Sequence, residues 1–405
     1  MVSPSSTLSI TTGTAVYKPL IGGSIAMLVA MGIGRFAYTP MLPIMEHDVQ
    51  LSVSSAGLLA SFNYVGYLLG ALVAAWMPLR SMERRFRLIA VCLIFSSLTT
   101  TAMAWSESFW LWAIFRGISG ICSAFVMVYS SSSIMDWLYH HRQSSKVGIF
   151  YAGVGLGIAM TGLLVPLFTQ IGNWQTGWYG LGIVSFILAI WSLFLLTGIR
   201  QFIPDYVHTK DPAPTIQPSF RLWGITAAYG LEGLGYIVMS TFVTVFFSQI
   251  SSFSWLGSVS WIILGLAAAP STWLWSYAAQ RWGIRKATYA AFLIQASSIL
   301  IPTLVPGVIT AVIGSVLFGG TFLGITSLAL MIGRQIDPSR SSTIIGNLTA
   351  VYGVGQIIGP VGAGAITSAL HTYSASMLLS GMLLLIAIAL LRVSQTKTEM
   401  SYEKE

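Results

Sequence analysis

The sequence predicts an all-α integral membrane protein. Twelve transmembrane helices form two pseudo-symmetric six-helix bundles, with both termini cytoplasmic. Three observations carry that prediction. The 405 residues are 55% apolar and only 8% charged, where a soluble protein has about 25% charged residues. Positive charge is confined to alternate loops. Local patterns from the first half of the chain return in the second at a nearly constant offset.

A membrane-spanning helix needs about 20 mostly apolar residues. Such segments lie at 18–44, 53–79, 86–105, 108–136, 146–169 and 175–198, then at 221–248, 254–279, 285–304, 307–332, 341–367 and 373–393. Boundaries are loosest around Pro302 and Pro306 and around Asp136. Residues 1–17 are rich in Ser and Thr and lack both a basic start and a small-residue cleavage site. They read as a disordered tail ahead of a first span that is retained. The segment 200–220 carries Pro204, Pro212, Pro214 and Pro218, which no continuous helix accommodates. It reads as a cytoplasmic linker between an N-terminal bundle at 18–199 and a C-terminal bundle at 221–393, with a tail at 394–405.

The charges test this topology independently, because cytoplasmic loops collect Lys and Arg. Of the 20 Lys and Arg, all but Arg35 and Arg116 fall on one side if the N-terminus is cytoplasmic. The opposite loops hold Glu46, Asp48 and Glu107 instead. A wrong helix count would scramble this alternation. The net charge of +8 is thus accounted for by membrane orientation, and no nucleic-acid partner is expected.

The two halves echo each other. Gly153 and Gly155 return as Gly353 and Gly355, the loop from Arg142 resembles that from Arg340, and the basic turn at Arg84 and Arg85 is answered by Arg285 and Lys286. Arg35 and Glu232 occupy corresponding glycine-rich helices. Internal repeats of this size place a central site at the interface of two halves. The pairs Gly66/Gly70, Gly153/Gly157, Gly320/Gly324 and Gly355/Gly359 let helix backbones approach closely, and packing alone accounts for them.

Several function classes drop out. No Gly-Lys-Ser/Thr occurs, so the chain has no P-loop to drive a pump with ATP. His47, His140, His141, His208 and His371 lie in loops or at helix ends, and neither a metal cluster nor a catalytic triad can be assembled inside the bilayer. No catalytic residue, metal or cofactor is expected. Cys92 and Cys122 each sit in an apolar span and read as small hydrophobes.

Twelve spans, a six-plus-six repeat and a long central loop resemble the major facilitator superfamily from Lys18 to Arg392. Within it, GIGRFAYTPMLPIM at 32–45 and YGLEGLGYIVMSTF at 229–242 resemble the YbfB/YjiJ-type branch. The resemblance implies transport by alternating access. The superfamily's loop motif after the second helix is altered: Ala74 follows Gly70 where Asp is usual, while Arg84, Arg85 and Arg87 remain. In the second half Gln280 takes the Asp position within 279–286. The charged gate built on that Asp lacks its acid in both halves. Arg116-Gly-Ile-Ser-Gly120 resembles the superfamily's R-x-x-x-G motif, linked to proton coupling. Gly153, Gly157, Gly162 and Pro166 resemble an exporter-associated glycine motif, without the Gly-Pro pair that Gly359-Pro360 supplies in the eleventh span.

Depth separates the three ionisable residues within spans. At about 1.5 Å per residue, Arg35 lies roughly 25 Å from the inner end and Arg116 about 10 Å inward from the outer end. Glu232 lies roughly 16 Å in, near mid-membrane. A carboxyl withdrawn from water can exchange a proton within the range cells use, so Glu232 is the candidate coupling group, with Arg116. Arg35 is the candidate for attracting an anionic solute. The bland alternatives are an ion pair bridging the halves, or Arg116 donating to helix-end carbonyls. Asn63, Tyr64, Tyr151, Tyr229, Tyr236, Asn347, Tyr352 and Gln356 complete the candidate cavity. Tyr229, Glu232 and Tyr236 are spaced to share one helix face.

The expected function is secondary active transport, coupled to protons, of a small organic solute with a mild preference for an anion. The alternatives are a multidrug-type proton antiporter exporting lipophilic or cationic compounds, and a non-transporting sensor or scaffold. The lipid bilayer, the solute and protons are the expected partners, and the chain is expected to act as a monomer.

Overall fold

The computed structural model describes residues 14–77, 79, 81–200, 202, 219–250, 255–337 and 340–395. Most of the expected 200–220 linker, and all but the first residues of the two expected tails where they meet the bundles, lie outside them.

The first span has three pieces: α1 (Thr14–Met27), a π-helical turn at Leu28–Ile33, and α2 (Tyr38–Asp48). It starts four residues earlier than the hydropathy pattern suggests. The rest of the first half is α3 (Val53–Trp76), α4 (Met82–Ala102), α5 (Phe109–His140), α6 (Val147–Ile171) and α7 (Trp174–Leu196). The second half opens with α8 (Leu222–Ile250), α9 (Leu256–Ala268) and α10 (Ser271–Trp282). It ends with α11 (Ile284–Leu304), α12 (Val308–Ile336), α13 (Ser341–Leu370) and α14 (Tyr373–Val393).

Among the described residues, eleven spans are long and apolar enough to cross a membrane by themselves, and α9 with α10, bent by 46°, makes a twelfth if the pair is one span. The expected single helix at 254–279 is therefore broken at Ala269 and Pro270. Proline lacks the N–H that would continue the ladder, and its ring crowds the carbonyl four residues back. Hydropathy, which sees only apolar length, does not register the break. Of the two loosest boundaries, α5 runs on past Asp136 to His140, while α11 ends at Leu304 as expected, with Pro302 inside it.

Within each half, glycines set helix separation. A Cβ on Gly32 would lie 2.4 Å from the Gly157 Cα, so the π turn and α6 touch backbone to backbone. Gly283, between α10 and α11, has φ +83 and ψ 147, a conformation that only glycine adopts without strain.

The halves meet along α2 with α8, α3 with α13, and α6 with α9. Polar contacts tie them together. Thr39 Oγ1 donates to the Ser240 carbonyl at 2.8 Å, and Ser61 Oγ donates to the Ile357 carbonyl at 2.7 Å. Trp261 Nε1 donates to Thr161 Oγ1 at 3.1 Å, and the Tyr373 hydroxyl donates to Glu46 at 2.8 Å. At the other end of the bundle, where Arg221 N bonds the Ser394 carbonyl at 2.9 Å, the halves part. A cavity of about 480 Å³ opens there between Ser144–Tyr151 on one half and Trp273–Gln280 and Leu323–Arg334 on the other. A second cavity, of about 540 Å³, lies toward the opposite face among α2, α6, α8 and α9.

Candidate functional site

The site begins with the interruption of the first span. In the π turn each N–H reaches one residue too far: Gly34 N bonds Val29 O and Phe36 N bonds Met31 O. Carbonyls skipped in this way must find donors elsewhere, because lipid supplies none. One face of α5 supplies them. Ser123 Oγ donates to Ala30 O at 2.6 Å, and Ser119 Oγ donates to Gly34 O at 2.8 Å. Arg116 forks between Gly34 O at 3.3 Å and Arg35 O at 3.1 Å. Residues 116, 119 and 123 stand one above another on a helix, so a single face serves the whole break. Pro43 adds to it: having no N–H, it leaves Thr39 O without its helical donor, and Thr244 Oγ1 from the other half donates at 2.6 Å.

The break orients Arg35 toward the junction of the halves. Its guanidinium lies 4.3 Å from the Tyr67 ring centroid, 4.8 Å from Tyr64 and 5.5 Å from Phe36. One NH2 donates to Gln356 Oε1 of the opposite half at 2.8 Å, and Gln356 Nε2 donates onward to the Tyr236 hydroxyl at 2.6 Å. Arg35 is 3% exposed, and its Nε has no partner. Among the described residues neither Arg35 nor Arg116 has a carboxylate partner. Arg116 instead lies 4.8 Å from the Tyr38 ring, and Asn63 Nδ2 donates to its backbone carbonyl at 2.9 Å.

An aromatic stack continues from Gln356 into the second half. Tyr352 lies parallel to Tyr229 at 4.3 Å and to Tyr236 at 5.6 Å, and Tyr236 lies parallel to Phe322 at 5.8 Å. Tyr229 faces Thr326 and Tyr151 neighbours Tyr67; Thr326 and Tyr151 both belong to the cavity wall. The stack therefore stands between the cavity and the buried arginine.

Six of the expected residues thus converge: Arg35, Tyr64, Tyr229, Tyr236, Tyr352 and Gln356. Tyr151 lines the cavity, Asn63 braces the backbone of α5, and Asn347 is exposed on α13 outside the cavity lining. Glu232 is fully buried elsewhere. Its Oε1 accepts from Gln295 Nε2 of α11 at 3.1 Å, and its Oε2 has no partner. Glu232 stands beside Tyr229 and Tyr236 on α8, and its carboxyl turns to Gln295 within the second bundle. No ion pair joins Glu232 to Arg35. Sequence reasoning missed Tyr67, legible as i+3 from Tyr64, and Gln295, for which no local pattern gives a signal.

The gate motif is likewise rebuilt within a half. Arg85 pairs with Asp136 of α5 at 2.7 Å and donates to the Leu79 carbonyl. At the same end Arg200 pairs with Glu83 at 2.7 Å.

Comparison with known proteins agrees with this architecture. The family described as "Uncharacterised MFS-type transporter YbfB" matches residues 27–392. The chain is 24% identical over 375 residues to the uncharacterized MFS-type transporter YtbD of Bacillus subtilis, covering 88% of this chain and 91% of that protein. It is 23% identical over 380 residues to the hexuronate transporter of the same organism, covering 88% and 89%. The fold superposes with a TM-score of 0.73 on a bacterial homologue of the human lysosomal transporter Spinster, solved in an inward-facing and unoccupied conformation. That match has 18% identity and covers 95% of this chain and 97% of that one. With a family match over nearly all its spans and a twelve-helix fold shared with solved transporters, the chain belongs to the YbfB-type family of major facilitator superfamily transporters and is a multi-pass membrane protein.

Proposed function

We propose that this protein is a secondary active transporter of the cytoplasmic membrane that carries a small organic anion. It works as a monomer by rocking its two halves, with its termini and linker cytoplasmic. The observation that carries this reading is Arg35. It is a cation withdrawn from water at the junction of the halves, held by an amide and three rings rather than by an acid. A charged side chain near the middle of a bilayer costs about 2.5–3.5 kcal/mol even on the lenient insertion scale. A lone cation at that depth retains an uncompensated positive charge that a solute carboxylate can neutralise. The similarity to a hexuronate transporter, whose named substrate is an organic acid, points the same way.

Glu232 is the proposed proton carrier. It is a fully buried carboxyl within the second half, with one oxygen unpartnered. Arg116 supports the site by holding the broken backbone that presents Arg35.

Accumulation of radiolabelled glucuronate and phenylacetate in proteoliposomes under an imposed pH gradient tests the reading. At least one anion accumulates above equilibrium, and Arg35→Ala abolishes accumulation. Glu232→Gln keeps anion exchange but loses the response to the gradient. Accumulation of neither anion, or extrusion of organic cations with Arg35→Ala intact, would sink it.

A further inference from the structure

The cavity between the halves has its own chemistry. Its wall carries Met127, Met135 and Met331 together with Tyr151, Trp273 and Tyr277. Three methionines and three aromatic rings make a surface that adapts to apolar bodies of varied shape. The volume of about 480 Å³ lies in the range that holds a small organic molecule. Only one side chain of the described lining bears a full charge: Arg334, on the last turn of α12 at the cavity mouth. No Asp or Glu belongs to the lining. Arg334 has no carboxylate partner among the described residues, whereas its neighbours in the chain, Asp337 and Arg340, pair with each other at 2.9 Å.

We infer that the transported solute is an amphipathic organic anion, one carboxylate on an aromatic or otherwise apolar body, and that Arg334 selects its charge at entry. The inference rests on the anion-transporter reading and narrows it. Ser144, Thr272, Ser276, Gln280 and Thr326 also belong to the wall, but a hydrophilic acid gains little from its methionine and ring surface. An organic cation meets Arg334 with no acid to offset it, which removes the attraction a multidrug exporter of cations needs. Charge and apolar body are read in sequence. Arg334 draws in the carboxylate, the walls hold the body, and the carboxylate then faces the Tyr151 side of the cavity; Arg35 lies over the Tyr67 ring, beyond the lining. Arg334 also counts among the charges that orient the chain in the membrane. That role alone does not change with the solute offered.

The test is the melting temperature of the full-length, detergent-solubilised protein with four probes: phenylacetate, acetate, glucuronate and phenethylamine. A ligand of the folded state raises it by mass action. Phenylacetate is expected to stabilise saturably, and the other three are not. Arg334→Gln weakens the apparent phenylacetate affinity about fivefold, the upper range for an exposed ion pair, and Arg334→Lys restores most of it. Added salt weakens phenylacetate binding in the wild type but not in Arg334→Gln.

Stabilisation by glucuronate without phenylacetate overturns the inference and leaves the anion reading standing. Stabilisation by acetate equal to that by phenylacetate removes the role of the apolar wall. Stabilisation by phenethylamine alone overturns both readings. No shift with phenylacetate at millimolar concentration overturns the inference, as does an Arg334→Gln variant that melts normally and binds phenylacetate unchanged.

Discussion

The bond between Arg35 and Gln356 is expected to hold the halves in the arrangement seen here, and Gln356→Met isolates it. Methionine keeps the length of the side chain and removes both polar groups. Two bonds are lost, but only one crosses the molecule. Gln356 and Tyr236 both belong to the second half, so their bond at 2.6 Å is common to every relative position of the halves. Arg35 belongs to the first half, and its bond at 2.8 Å lengthens when the halves separate. A hydrogen bond to a charged group contributes about 2 kcal/mol, which corresponds to a roughly thirtyfold change in a two-state equilibrium. The neutral bond from Ser61 to the Ile357 carbonyl also crosses between halves. Its loss in Ser61→Ala is expected to cost about 1 kcal/mol, roughly fivefold. Both effects can be read from the reactivity of Ser240→Cys toward a maleimide, in a background with Cys92 and Cys122 replaced by alanine. Ser240 is 4% exposed, beneath Thr39 at the contact of the halves. Its labelling should accelerate by about the two factors given, in that order. Equal rates in wild type and Gln356→Met, or a larger effect from Ser61→Ala, would refute the claim that the charged bond dominates.

Arg116→Met removes both donors to the Gly34 and Arg35 carbonyls, and should destabilise by about 3 kcal/mol. Arg116→Lys recovers only part, since an ammonium cannot fork between two carbonyls as guanidinium does; thermal melting checks both, and an unchanged midpoint in Arg116→Met would contradict the bracing role. Gly155→Leu places a Cβ 2.4 Å from the Ala269 nitrogen across the α6–α9 contact. The far-face distance between spin labels at His47→Cys and Thr372→Cys should lengthen, and an unchanged distance would mean that the halves do not need this close approach. A double-mutant cycle on Arg85→Gln and Asp136→Asn should give a coupling of about 1–2 kcal/mol, between the exposed and buried limits. Because both residues belong to the first half, Ser240→Cys reactivity should stay the same; acceleration would restore a gating role to this pair.

The number of spans was legible because a helix in lipid must be apolar along its whole length, whatever its neighbours. The breaks inside spans were not. Leu28–Ile33 is as apolar as any helix, and its π turn depends on donors that arrive from α5, some ninety positions further along the chain. Pro43 was visible, but nothing local says that Thr244 takes the carbonyl it leaves free. The site shows the same division. Arg35, Tyr236, Tyr352 and Gln356 stood out because polar groups at mid-membrane depth are expensive, and they do converge. The partner of Glu232 did not stand out, because Gln295 is one amide in a helix whose rotation about its axis the sequence leaves open. Arg334 was visible only as one of many charges expected on one side of the membrane. Its place on a cavity wall follows from how α12 packs against the other half.

On the proposed function, that arrangement narrows how proton and solute are coupled. Had Arg35 and Glu232 formed an ion pair, a proton arriving at the carboxyl would free the arginine directly, and solute and carboxylate would compete for one cation. The acceptor on Arg35 is the Gln356 amide instead, which has no charge to give up. The centre of the molecule therefore keeps its positive charge whether or not Glu232 is protonated. Glu232 lies on α8 between Tyr229 and Tyr236, and both of those rings stack on Tyr352, one turn from Gln356 on α13. A change in how Glu232 sits against Gln295 can reach Arg35 through α8, the stacked rings and Gln356. On the proposed role of Glu232, coupling in this geometry is mechanical, passed through packed rings and the relative position of helices rather than by exchange of one charge for another.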